Sequence, residues 1–188
     1  MTEQSKSDGN EEKSQAQLDY EAGQDFLQKN ELAMAANAFH NALLAFEHDK
    51  NENGIANASD KLGDICAQRG DFSAAQNHFD RAYAICQKHS DRFSLFALEK
   101  KMAKLKYDAK DYAKAVTLYL DVLDEYSALR NPQGSVDTLD ILAEIYLAMG
   151  EKKRAADAYR MAASIHSSFK HARHAEKYMN KAAEVENS

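Results

Sequence analysis

The chain has 188 residues, 44% of them apolar, with one proline, seven glycines and no tryptophan. That is enough apolar material for a substantial core, and so few helix breakers point to a largely helical chain. A formal net charge of −6 excludes a uniformly basic nucleic-acid face, two cysteines are too few for a disulfide framework, and no apolar run is long enough to span a bilayer.

Residues 1–15, "MTEQSKSDGNEEKSQ", lack any apolar stretch and read as a disordered polar tail with no secretory signal. With only Cys66 and Cys86 as thiols, a reducing, cytoplasmic setting is expected. Residues 16–50 read as a helix hairpin whose second helix opens near Leu32. Residues 51–90 read as another, with Asn51 as N-cap and a second helix opening near Phe72, just after Gly70. Residues 91–130 begin at the N-cap Asp91. Their second helix opens near Tyr112, and Ala115, Val116, Tyr119, Val122 and Leu123 recur at helical spacing. In residues 131–170, Asn131 is the N-cap and the only proline, Pro132, takes the first helical position, where a missing N–H costs little. Gly150 ends that first helix and the second opens near Lys152. Residues 171–188 read as one more first helix, mostly polar outside Ala182 and Ala183, that caps the stack.

The four hairpins are copies in phase. Stepping by forty residues, Ala35, Ala75, Ala115 and Ala155 fall into one column, and Phe39, Phe79, Tyr119 and Tyr159 into a second. Gly23, Gly63, Ala103 and Ala143 form a third column of small residues, preceded by the apolar Ala22, Leu62, Met102 and Leu142. Small residues at Gly63 and Ala75 let paired helices approach, and Phe79 fills the space beside them. One hairpin cannot bury its own apolar stripe, so neighbours must stack. The stretches "LGDIC" (62–66), "GDFSAAQNHFDRA" (70–82) and "LAEIYLAMGEKKRAADAY" (142–159) resemble the tetratricopeptide repeat (TPR) family, whose usual period is roughly 34 residues. A period of forty resembles its long-helix variety. The resemblance implies an all-α, right-handed α-solenoid of four TPR hairpins plus a C-terminal capping helix. It also implies a protein-binding superhelix, no catalytic activity and no cofactor.

In such arrays the first helices line a concave groove. The stripe opposite the packed columns then supplies Tyr20, Gln24, Asn57, Asp60, Asp64, Lys100, Lys104, Tyr107, Asp140, Glu144, Lys177 and Lys181 as candidate contacts to a peptide or partner protein. The second repeat is acidic there, the third basic and the fourth acidic, which suits a peptide of matching charge pattern. Alternatively, neighbouring helices bridge their own charges. A carboxylate-gripping clamp of the family is matched best by Lys100, Lys104, Ile141, Lys177 and Lys181, with Asp140 and Glu144 competing for the lysines. No ladder of asparagines along the groove is apparent.

Other chemistry is thin. No P-loop, GxGxxG, HExxH or GxSxG occurs, so neither an enzyme nor a nucleotide cofactor is expected. His171 and His174 share a helix face, but no carboxylate or thiol completes a metal set, and His166 sits in the interface column of Phe46, Cys86 and Tyr126. Cys66 and Cys86 take core seats. Lys106 shares the Cys66 column, so it must snorkel or locally distort the third repeat. The basic run Lys170–Lys181 reads as a solvated face. The expected work is that of an adaptor, assembly factor or chaperone, with no nucleic-acid partner and no membrane insertion. The alternatives are a subunit that self-associates through its terminal repeats and a peptide-sensing regulatory module.

Overall fold

The computed structural model describes residues 13–187, so the expected tail lies almost wholly outside the described residues. Nine α-helices follow one another among them: α1 (Gln15–Gln28), α2 (Leu32–His48), α3 (Glu52–Gln68), α4 (Phe72–Lys88), α5 (Arg92–Asp108), α6 (Tyr112–Ala128), α7 (Pro132–Ala148), α8 (Lys152–Ser168) and α9 (Ala172–Asn187). The described residues contain no strand.

Every turn has the same construction. A residue with positive φ follows each of α1 to α8: Asn30, Lys50, Ser90, Lys110, Arg130 and Lys170 at 52–59°, and Gly70 and Gly150 at 78° and 77°. The next residue donates its N–H back into the finished helix, as Glu31 does to Phe26 (2.8 Å), Asn51 to Phe46 (2.9 Å) and Glu151 to Tyr146 (2.8 Å). This is the Schellman closure, which satisfies carbonyls that a helix end leaves without partners. The donor residue is also the N-cap of the following helix, so a single position stops one element and starts the next. Asn51, Asp91 and Asn131 complete the cap by accepting from the N–H of Gly54 (2.9 Å), Ser94 (3.1 Å) and Gly134 (2.9 Å). Asp71 does the same for Ala74 (3.0 Å). Glu31, Asp111 and Glu151 make no side-chain cap bond; Asp111 instead holds Lys114 at 3.0 Å.

The chain divides into two compact units, one ending at Ile85 and the other beginning at Cys86. In the first, Ala35, Phe39, Ala42, Leu43, Phe46, Ala58, Leu62 and Ile65 are buried together. A Cβ on Gly23 would stand 2.8 Å from the Phe39 ring, and one on Gly63 would stand 2.5 Å from the Phe79 ring. The small column is therefore where helices of a hairpin meet most closely, and the ring opposite has no room for even a methyl group. In the second unit Ala103 and Ala143 replace these glycines, and Tyr119 and Tyr159 replace the phenylalanines, all buried in a core with Val116, Leu139, Leu142, Ile145 and Tyr178. Each large apolar side chain so buried contributes about 1.5–3 kcal/mol.

A second close approach lies between hairpins. A Cβ on Gly54 would run into the Phe46 ring, and one on Gly134 would meet Tyr126 at 2.5 Å. The in-phase pair in the middle is Cys86 and Ser94, and the last is His166 and His174. Bulk on one helix is thus matched by glycine on the next where phenylalanine or tyrosine occupies the column. Cys86 is buried as expected, whereas Cys66 is only half-buried. Lys106 is also half-buried, and α5 keeps the length and phase of its neighbours, so the side chain is accommodated without distorting the helix.

Candidate functional site

The first helix of each hairpin carries the positions expected to meet a partner, and each unit is described by itself. In the first unit, Tyr20 of α1 packs edge-on against Phe39 (centroids 5.2 Å apart) and Phe46 (6.4 Å). Those contacts fix the ring at the floor of a cavity of about 320 Å³, lined by Gln17, Tyr20, Phe46, Asn51, Asn53, Gly54 and Asn57. Asn51 is committed to its helix cap. Gln17, Asn53 and Asn57 are exposed at the mouth. An amide both donates and accepts, so this set suits peptide backbone groups.

The structure therefore brings the expected residues Tyr20 and Asn57 to one site. Gln24, Asp60 and Asp64 lie outside its lining. Gln24 is exposed and both aspartates are half-buried, with Asp60 3.9 Å from Lys61. Asn53 was missed. Its signal was the i, i+4 pair Asn53 and Asn57 within "NENGIAN", which puts two amides on one helix face. This falls short of a ladder of asparagines.

In the second unit most of the expected residues are engaged with other groups of the chain. Lys100 lies over the rings of Phe96 (4.9 Å) and Tyr126 (5.6 Å), themselves in an edge contact at 5.0 Å. Lys104 pairs with Asp108 one turn on at 2.6 Å. The Tyr107 hydroxyl donates to Glu144 across α5 and α7 at 3.3 Å. Burial first, and then the Glu144 charge, hold the Tyr107 phenol above its ordinary pKa. Behind it, burial pushes Tyr119 up to about 12.

Asp140 is engaged by two partners from α9. It accepts a short hydrogen bond from Tyr178 and a second from Lys181 at 2.9 Å. The Lys181 ammonium also lies over the rings of Tyr159 (4.9 Å) and Tyr178 (4.8 Å). Burial, followed by the Asp140 hydrogen bond and charge, raises the Tyr178 phenol well above its usual range, so it remains a donor. Of the five clamp seats, Lys181 is held by Asp140 and Lys100 by aromatic rings. Glu144 takes Tyr107 rather than a lysine. Lys177 lines a shallow, charged depression along α9 with Arg173, Asn180 and Glu184.

The remaining candidate chemistry also finds structural explanations. His166, His171 and His174 gather at the α8–α9 turn with ring centroids 5.1–6.1 Å apart. Among the described residues no group of three His, Cys, Asp or Glu side chains is placed to hold a metal. Burial, with help from Asp71, pushes the Cys66 thiol up and disfavours its thiolate. No helix of the described residues is long and apolar enough to cross a membrane.

Comparison with known proteins places this architecture. The soluble NSF attachment protein (SNAP) family profile matches residues 2–137, and a tetratricopeptide repeat profile matches 138–172. No curated protein matches the sequence. Among solved structures, kinesin light chain TPR-like repeats from Podosopora anserina superpose with a TM-score of 0.74 at 14% identity, covering 94% of this chain and 90% of that one. The apo form of RapI gives 0.75 at 16%, covering 93% and 65%. The Rap conjugation gene regulator of plasmid pLS20, solved with the Phr* peptide, gives 0.62 at 13%, covering 90% and 47%; this chain spans about half of its length. At these identities the structural likenesses establish the fold: an all-α helical repeat solenoid of tetratricopeptide type. With more than half of its length matched by the family profile, the chain belongs to the soluble NSF attachment protein, SNAP, family.

Proposed function

We propose that this protein is a non-catalytic interaction module whose first-helix faces bind an extended peptide or partner segment. The observation that carries the reading is the cavity of the first unit, where Gln17, Asn53 and Asn57 surround a ring fixed by two other aromatics. Amides at the mouth would pair with peptide N–H and C=O groups, and Tyr20 would offer an apolar floor to a side chain. Two Rap structures are complexes, one with the Phr* peptide and one with competence and sporulation factor, which supports peptide binding on this fold.

In the second unit, the proposed contacts are Lys100, Lys104, Tyr107, Asp140, Glu144, Lys177 and Lys181. The pairing of Asp140 with Lys181 and of Lys104 with Asp108 favours a role in setting charge selectivity over a role as strong anchors, since exposed pairs contribute only about 0–1 kcal/mol each. The hairpin boundaries at 50/51, 90/91, 130/131 and 170/171 are proposed as the repeat boundaries. The protein is read as working in the cytoplasm, without nucleic acid or cofactor.

Peptides selected for binding from a display library test this directly. Asn53→Ala together with Asn57→Ala removes two exposed amides without touching the core, and affinity is expected to fall about tenfold or more. Peptides that bind the double variant as tightly as the parent would contradict the reading.

A further inference from the structure

A second cavity, in the second unit, is not part of the first-helix face. About 230 Å³ opens between α6 and α8, with Leu139 and Leu142 of α7 among its lining residues and Leu120 and Met161 on its two sides. Leu120 and Met161 are 41% and 53% exposed. Arg154 and Asp157 of α8 complete the charged part of the lining.

The repeat explains why the space exists. Eighty residues before Ala158, Leu120, Leu139 and Met161 stand His78, His40, Ser59 and Arg81. The His78 imidazole is half-buried in the first unit, and burial, then Arg81, then His40 hold its pKa below the ordinary value. At the matching seat in the second unit only the Ala158 methyl group remains. The seats around it have changed in the same direction, from histidine, serine and arginine to leucine and methionine. An open cavity lined this way exposes apolar surface that packing within the chain does not require.

The charged groups select the occupant. Arg154 gives one N–H to Glu151 (2.7 Å) and one to the Tyr146 hydroxyl (3.0 Å), and a guanidinium carries five. Asp157 receives Arg160 at 2.9 Å on one of its two oxygens. The two lie three residues apart, ~4.5 Å along α8, close to the ~5.4 Å pitch of a helix laid against it. Methionine on the wall can adapt to the shape of an incoming side chain.

We propose that this cavity docks an amphipathic helix of a partner protein, which seats a leucine-sized side chain between Leu120 and Met161, sets a carboxylate against Arg154 and sets a cation against Asp157. This is helix-in-groove recognition, on a face separate from the peptide site proposed above.

The test uses the full chain with labelled leucine and methionine methyls and a synthetic amphipathic helical peptide. The peptide carries one leucine beside a glutamate and a lysine set one turn apart, or the same two charges in the reverse order. In one of the two orders it is expected to shift the Leu120 and Met161 methyl resonances. Ala158→His, which installs the plug of the first unit, is expected to weaken binding about tenfold or more. Met161→Arg is expected to do the same from a position that is about half exposed. Asn57→Ala is expected to leave this binding unchanged, which separates the outcome from that of the first-helix site. The proposal is overturned if those methyls do not shift with either peptide, or if both variants bind as well as the parent. It is also overturned if a leucine-to-alanine peptide binds equally, or if both charge orders bind equally, which would mark a small apolar ligand site instead of a helix dock.

Discussion

Gly63 and Phe79 show how much of the fold rests on single atoms. With the Phe79 ring 2.5 Å from where a Gly63 Cβ would sit, Gly63→Ala forces a buried ring or a helix to move. The expected cost is about 1–3 kcal/mol, seen as a lower urea midpoint at unchanged slope; an unchanged midpoint would show that the contact is not close-packed. This contact was legible in the sequence because the small and aromatic columns recur in register. Tyr20 was legible only in part. Its position on the face follows from helical spacing, but its ring is held by Phe39 and Phe46, which depends on a neighbouring helix that spacing along α1 does not describe. Asn53 was missed although it lies one turn before Asn57 on the same face, because it stands in the first turn of α3 beside the cap, and only the cavity shared with α1 shows that this turn belongs to the site.

At the scale of elements, local chemistry determined the boundaries. N-caps, Pro132 and the positive-φ residues act within a few positions of themselves, so helix starts at Leu32, Phe72, Tyr112, Pro132 and Lys152 could be read directly. The last junction carries a further consequence. His166 stacks on Tyr178 at 5.4 Å and faces His174 and His171, while Asp140 of α7 attracts and Lys181 of α9 lies over the same tyrosine. Lys170, Arg173 and Lys177 add positive charge on the same turn and helix. Burial, then His174 and His171, hold the His166 pKa below its ordinary value of about 6.5, and the Asp140 charge only partly opposes them. The unfolded chain therefore takes up the proton more readily than the folded one. The stabilisation is complete above the unfolded value and is lost as pH falls through the folded one. Hydrogen-exchange protection of α9 is expected to decline between about pH 7 and pH 5. His166→Phe, which copies the in-phase Phe46, is expected to flatten that decline; an identical slope in the variant would remove His166 from the account.

For the molecule as a whole, the repeat made the fold class plain while leaving the site half-read. Charge rows that alternate acid, base and acid by sequence become particular pairings in space. Asp140 takes Tyr178 and Lys181, Glu144 takes Tyr107, and Lys104 turns to Asp108 on its own helix. Which partner each charge chooses depends on side-chain reach between helices, and forty-residue columns do not encode that. The chain offers an amide-lined cavity in one unit and a self-paired charged face in the other. The central claim, that the first helices receive the partner, is tested most directly by hydrogen exchange of the full chain with and without a peptide selected for binding. Slowed exchange in Gln15–Gln28 and Glu52–Gln68 is the predicted result, and unchanged exchange in both helices with the peptide bound would contradict it.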